Sequence, residues 1–280
     1  DTIMEDKILL QLKEIEAQLT GRVRIIFQPA EELGYGAYHI TDTGAIEGAK
    51  AVLGYHNYPT LDIGEFAVKP GVITSSVDRF EFKIKGVGAH AAKPEQGNDP
   101  VIVLGQLINS VQSIVSRNLS AFDNGVVTIG EVSSGNTWNV IADEAYVQGT
   151  VRSFDEEKRN YIEKRLRAIG SGLAEAFDVE IETLYHRLPG AVVNDEKLTE
   201  DAKEVAKSVG YNVSVMDQPL TIGEDFSGFS NKYPSVFVFI GSNSEYDLHH
   251  RKYDPDERIL EKVPEYFVSF VQKLLNEQYQ

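Results

Sequence analysis

From Ile8 onward the apolar positions Ile8, Leu12, Ile15 and Leu19 recur at spacings of four, three and four residues, the period of one helix face, and Gly21 is placed to end that helix. Val23-Arg24-Ile25-Ile26-Phe27 then reads as a strand stopped by Gln28-Pro29, and Ala51-Val52-Leu53-Gly54-Tyr55 as another that ends at His56. Runs that stay apolar without alternating predict strands buried on both faces, as in a helix-covered, mainly parallel α/β sheet. Near Ser75 the pattern changes. Phe80, Phe82 and Ile84 alternate with Glu81, Lys83 and Lys85, the signature of a strand with one wet face. Asp99-Pro100 supplies an N-cap and first helical residue for a helix carrying Ile102, Leu107, Ile108, Val111 and Val115. Strands follow at 125–132 and 144–152, a charged helical stretch at 155–177, and a last alternating strand through Val179, Ile181, Thr183 and Tyr185. The order β-α-β-β-α-β predicts a ferredoxin-like module with two helices on one sheet face. Beyond Leu188-Pro189-Gly190 come a helix at about 196–209, strands at 212–216 and 235–240, and a closing helix from about 255. We therefore expect an α/β domain formed by residues 1–74 and 187–280, with an inserted α+β domain at 75–186.

Composition narrows the chemistry. The 280 residues are 42% hydrophobic and 25% charged, the profile of a folded chain rather than a disordered one. Lys and Arg number 27 against 43 Asp and Glu, and a net charge of −16 repels phosphate backbones and anionic lipid, so neither nucleic acid nor membrane is an expected partner. No apolar run approaches the roughly 18 residues of a membrane span, and the first residues lack the layout of a signal peptide, which together point to the cytoplasm. With no cysteine in the sequence, disulfides and thiolate chemistry are excluded, and a metal would be held by carboxylates and by some of the six histidines.

Glu31 and Glu32 follow a predicted strand and a proline, which holds two like charges on one constrained turn. Such a pair can divide the work of a metal site, one carboxylate ligating while the other takes a proton from metal-activated water; an isolated Glu-Glu is more often a solvated loop. His56 closes an apolar strand, Leu248-His249-His250 lies in a loop after another, and His90 sits in the small-residue frame Gly86-Val87-Gly88-Ala89-His90-Ala91-Ala92. Each also reads as an ordinary partly buried histidine, a polar turn or a hairpin. Gly223-Glu224-Asp225-Phe226 reads as a second acidic site or as a helix start.

Seven short motifs occur in a fixed order: Phe27-Gln28-Pro29-Ala30-Glu31-Glu32, Gly54-Tyr55-His56-Asn57, Gly88-Ala89-His90-Ala91-Ala92, Trp138-Asn139-Val140-Ile141, Gly149-Thr150-Val151-Arg152, Gly223-Glu224-Asp225-Phe226 and Leu248-His249. On these, from about Leu9 to the end, the sequence resembles the aminoacylase and carboxypeptidase-like metal-dependent amidohydrolases. The branch it is most similar to contains hippurate hydrolases, indole-acetyl-amino-acid hydrolases and N-acetyldiaminopimelate deacetylases. The resemblance implies hydrolysis of the amide bond of N-acyl amino acids or related small amides. Glu31 would be the general base on a metal-bound water, and Glu32, His56 and His249 ligands of a centre of two divalent metals, zinc or manganese first, with cobalt or nickel also compatible with such donors. It further implies that the inserted domain is a lid that carries a homodimer contact, that its His90 polarises the scissile carbonyl, and that Asn139 and Arg152 grip the substrate carboxylate. His39, His186 and His250 match no motif position and are expected to be structural.

One departure stands out. Members of that group carry a preceding stretch of the metal domain ending in His-Ala-Cys-Gly-His-Asp, which provides a cysteine and a histidine ligand. Here three candidate ligands stand where the group uses five. The sequence is then either part of a longer protein or a degenerate, non-catalytic member that binds an amino acid or peptide or serves as a dimerising subunit. Retention of Glu31, which has no evident folding role, favours the first.

Overall fold

The computed structural model describes residues 2–276. Along the chain it forms α1 (Thr2–Glu14), α2 (Gly36–Asp42), β1 (Val52–Tyr58), β2 (Glu65–Val68), β3 (Gly71–Val72), β4 (Ser76–Lys85) and β5 (Ala89–His90). Next come α3 (Pro100–Ser113), β6 (Gly125–Ser134), β7 (Val140–Ile141), β8 (Glu144–Ser153), α4 (Glu156–Phe177) and β9 (Glu180–Arg187). The last stretch holds β10 (Val193–Asn194), α5 (Glu196–Ser208), β11 (Asn212–Val215), α6 (Ser227–Ser230), β12 (Ser235–Gly241) and α7 (Ile259–Asn276). Two compact units emerge: one from residues up to Ile73, Val192–Leu220 and Asp225 onward, the other from Thr74–Ala191 with Thr221–Glu224.

The first unit is built on a four-stranded sheet in the order β1-β12-β2-β11. β1 runs parallel to β12 and β11 parallel to β2, while β12 and β2 are antiparallel, so the sheet is mixed. All seven residues of β12 are buried, as its unbroken apolarity predicts, because each face meets a different core. Val236, Val238 and Ile240 pack with Ile8 and Leu12 of α1, Leu198 and Val205 of α5, and Tyr266 and Phe270 of α7. Phe237 and Phe239 turn the other way, toward Ala37, Ile46, Phe226 and Phe229. The expected strand at 23–27 is corrected: it pairs with no strand among the described residues. Val23 and Ile25 pack on the first core and Ile26 on the second, so its apolar side chains serve packing between layers rather than a ladder. The pairing strand β2, with Phe66 and Val68 fully buried, carried too short an apolar run to be read beforehand.

The second unit holds an antiparallel sheet in the order β6-β8-β4-β9. With α3 and α4 as its connections, this is the β-α-β-β-α-β arrangement. Burial along β4 alternates residue by residue, with Phe80, Phe82 and Ile84 inside. Asp99 accepts the Val101 N–H and Asp155 the Lys158 N–H, capping α3 and α4. Beneath α4 the fully buried Asp78 takes two hydrogen bonds from Arg159, at 2.8 and 2.6 Å, and one from Tyr185 at 2.8 Å. β9 runs through Arg187, and Leu188 and Pro189 still pair with Val77, which places residues 187–191 in this unit rather than at the start of the other.

Candidate active site

In the first unit the parallel strands β1 and β12 point their C-terminal ends the same way, the end of an α/β sheet where functional groups gather. His56 stands near the end of β1, half-buried. Its Nδ1 lies 2.7 Å from the backbone carbonyl of Asn57, and since a carbonyl only accepts, Nδ1 must donate. In a neutral imidazole this leaves the lone pair on Nε2, the arrangement typical of a ligating histidine. The loop after β12 is tied to the same strand end: Ser242 N–H donates to the Tyr58 carbonyl at 3.1 Å, Ser244 N–H to Pro59 at 2.9 Å, and the Tyr253 hydroxyl to Asn57 Oδ1 at 2.9 Å. His249 sits in this loop with a left-handed backbone, φ 63°, a conformation that L residues hold at a cost and that clusters at functional sites.

Glu31 and Glu32 occupy a single 3₁₀ turn, Glu31–Leu33, bracketed by the left-handed Ala30 (φ 59°) and Gly34 (φ 72°). The turn folds back so tightly that a Cβ on Gly36 would lie 2.0 Å from the Pro29 carbonyl oxygen; only glycine fits there. This carries Glu32 Oε1 to 3.7 Å from His249 Nε2, with both side chains 74% exposed and open to an ion from solvent. Glu31 is more sheltered. Its carboxylate and that of the fully buried Asp225 approach within 4.8 Å. Burial first, then the charges of Asp225 and Glu32, push the Glu31 carboxyl above its ordinary value, while His249 and the Asp225 backbone N–H pull it down.

Asp225 belongs to the motif whose role the sequence left open between a second acidic site and a helix start. Its carboxylate accepts Gln28 Nε2 at 2.6 Å and the Ala37 N–H at 3.1 Å, so it caps α2 rather than its own helix. Next to it Phe226 wedges against β1: a Cβ on Gly54 would meet its ring at 2.5 Å. The signal available in advance was an acidic residue directly before an apolar one in a chemistry-bearing motif, which does not say what that acid faces.

In the second unit, β5 and β7 pair His90 with Val140, and Ala91 N–H donates to the Asn139 carbonyl at 3.1 Å, which makes His90 and Asn139 neighbours. Arg152 lies on β8, half-buried, with Nη1 donating to the Val151 carbonyl at 3.0 Å and to Thr150 Oγ1. The histidines expected to be structural have local partners: His186 meets Glu81 at 3.0 Å and His250 stacks on Tyr246 at 4.5 Å, while His39 is an exposed residue of α2.

Residues 7–275, spanning α1 to α7, match the model of one protein family. The chain belongs to peptidase family M20/M25/M40. Within the family it is 40% identical over 256 residues to an N-acetylcysteine deacetylase of Bacillus subtilis (strain 168), covering 91% of this chain and 67% of that protein. An N-acetyl-L-cysteine deacetylase of the same organism is 37% identical over 265 residues, 95% of this chain and 64% of the relative. An N-acetyldiaminopimelate deacetylase of Bacillus cytotoxicus is 32% identical, covering 88% of this chain and 66% of the relative. A solved M20 structure from Bacillus subtilis, described as a dinuclear metal binding peptidase, superimposes with a TM-score of 0.81 at 34% identity over 96% of this chain and 70% of that one. The chain thus spans about two thirds of the length of the curated relatives it matches. Among the described residues no helix is long and apolar enough to cross a membrane.

Proposed function

We propose that the protein hydrolyses the amide bond of N-acyl amino acids, small N-acetyl amino acids among them, in a reaction that depends on two divalent metal ions. The observation that carries this reading is the meeting of Glu32 with His249 beside a sheltered Glu31. The donor types suit a metal: an exposed carboxylate with an imidazole 3.7 Å from it, and at the end of β1 a further imidazole, His56, whose Nδ1 is held by the Asn57 carbonyl. Glu32, His56 and His249 would contribute ligands, zinc or manganese being the first candidates and cobalt or nickel also compatible. When bound, the ions polarise the scissile carbonyl and make water a stronger nucleophile.

Glu31 accepts the proton of the attacking water and returns it to the leaving amine. Its raised proton affinity makes it a stronger base toward water, while as a carboxylic acid it still releases the proton readily to an amine. His90 donates to the developing oxyanion, and Arg152 with Asn139 binds the substrate carboxylate. The second unit then serves as a lid and as the dimer contact. β6 is an edge strand with Val126 and Val132 41% and 48% exposed, and α3 leaves Val101 and Ile102 similarly open, surface that pairing of two copies would cover.

The test is metal content by elemental analysis of the full-length gene product, together with release of free amino acid from N-acetyl, N-benzoyl and indole-acetyl amino acids. Two bound metals and metal-dependent release support the assignment; neither would favour a non-catalytic binding protein. Glu31→Gln should lower turnover by about 10²–10⁴-fold with metal content unchanged. Equal loss of both would mean that Glu31, not Glu32, is the ligand.

A further inference from the structure

Asp225 is fully buried, yet its contacts run to two places that flank the Glu31–Glu32 turn in sequence. One carboxylate oxygen accepts Gln28 Nε2, three residues before Glu31; the other accepts the N–H of Ala37 in the first turn of α2, with the Gly36 N–H also directed at the carboxylate. Neighbouring groups fasten the same junction. The hydroxyls of Tyr38 and Ser227 lie 2.9 Å apart, and Gly228 approaches α2 so closely that a Cβ there would sit 2.8 Å from the Tyr38 nitrogen. The backbone N–H of Asp225 itself donates to the Glu31 carboxylate. Both ends of a turn with a left-handed non-glycine residue are thereby held from one point, which is how a strained loop keeps a single conformation.

We propose that Asp225 is a positioning residue: with Gln28 it forms a clamp that closes the turn carrying Glu31 and Glu32 and aims both carboxylates. This rests on the reading of Glu31 as the base. The clamp has a donor–acceptor polarity that can be inverted. Gln28→Glu sets two carboxylates face to face and opens it. Adding Asp225→Asn gives the amide Nδ2 a carboxylate to donate to, keeps an oxygen for Ala37, and restores the net charge of the pair.

In the metal-loaded full-length protein, measured at mildly alkaline pH with an N-acetyl amino acid, Gln28→Glu should lower kcat by about 10–100-fold, the usual effect of losing an outer-shell partner. KM should stay within about threefold, and the double variant should recover kcat to within about threefold of the parent. A residue that merely supports folding would lose active protein without changing kcat per folded molecule, and would show no recovery in the double variant. Hydrogen–deuterium exchange of the amides at 34–37 supplies a readout independent of turnover: faster in Gln28→Glu, restored in the double variant. If the parent binds metal but hydrolyses nothing, the amidohydrolase reading fails while exchange still decides the clamp. Unchanged exchange and kcat in Gln28→Glu, or additive losses in the double variant, overturn it.

Discussion

Replacing Gly54 by alanine puts a methyl carbon 2.5 and 2.8 Å from two atoms of the Phe226 ring and 2.9 Å from Phe237. Neither ring can easily yield. Phe226 packs against Phe229 and Phe237 with centroids 5.4 and 4.9 Å away, and Phe237 against Phe239 at 5.8 Å. Overpacking of this kind costs about 1–3 kcal/mol. Against it stands the gain of about 0.4–1 kcal/mol that alanine brings by restricting the unfolded chain. The clash wins, and Gly54→Ala should destabilise the protein by about 1–2 kcal/mol. Gly105 and Gly172, in α3 and α4, have nothing within 4 Å of the point where an alanine methyl would stand, so alanine there should stabilise by about 0.5–1 kcal/mol. Urea unfolding of the three variants checks the opposed signs. Because Phe226 follows Asp225 and His56 follows Gly54 by two residues, Gly54→Ala should also weaken metal binding, whereas the two helix variants should not. A stability change of the same sign in all three, or an unaltered Gly54→Ala protein, would refute the claim that this contact is sterically closed.

Arg159→Met would strand the fully buried Asp78 without its guanidinium and should cost about 3–5 kcal/mol in denaturant unfolding, more than any exposed ion pair of α4. Arg152→Ala should raise KM by about tenfold or more for substrates with a free carboxylate and much less for their amides, as measured by steady-state kinetics. Burial pushes the Glu163 carboxyl up, but hydrogen bonds from Arg187 and Arg167 outweigh it and hold the group below its usual 4.5. A depressed folded value means a contribution that is complete above the unfolded value and lost as pH falls through the folded one. The Tm gap between parent and Glu163→Gln should therefore be widest well above the ordinary carboxyl value of 4.5 and close as pH falls below it.

Local regularities are what the sequence carried most clearly. The alternation in β4, the N-cap aspartates of α3 and α4 and the continuous apolarity of β12 each follow from geometry repeated within a few residues, whereas α1 ends at Glu14, so of the four-three-four series only Ile8 and Leu12 lie in it and Gly21 does not end it. The motif residues were legible as types: an acidic pair on a turn, histidines at strand ends, an arginine on a half-wet strand. Val23–Phe27 shows where such reading fails, since apolar residues facing two cores look the same as a ladder strand until the layers are in place.

By itself, then, the sequence determined most of the helices and the longer strands, and which side chains can ligate, take protons or bind carboxylates. The tertiary structure decided which of them meet. Gln28 and Asp225 are 197 residues apart and Ala37 and Asp225 188, and no local period links such positions. Their encounter depends on the closure of long loops that only the packing of α2 and the Phe226 segment on the sheet makes favourable. The same holds for Glu32 and His249, 3.7 Å apart although one lies on the turn Glu31–Leu33 and the other in the loop after β12. Whether an aspartate ligates, caps or clamps is set by the groups in direct contact with it, and that is a property of the fold.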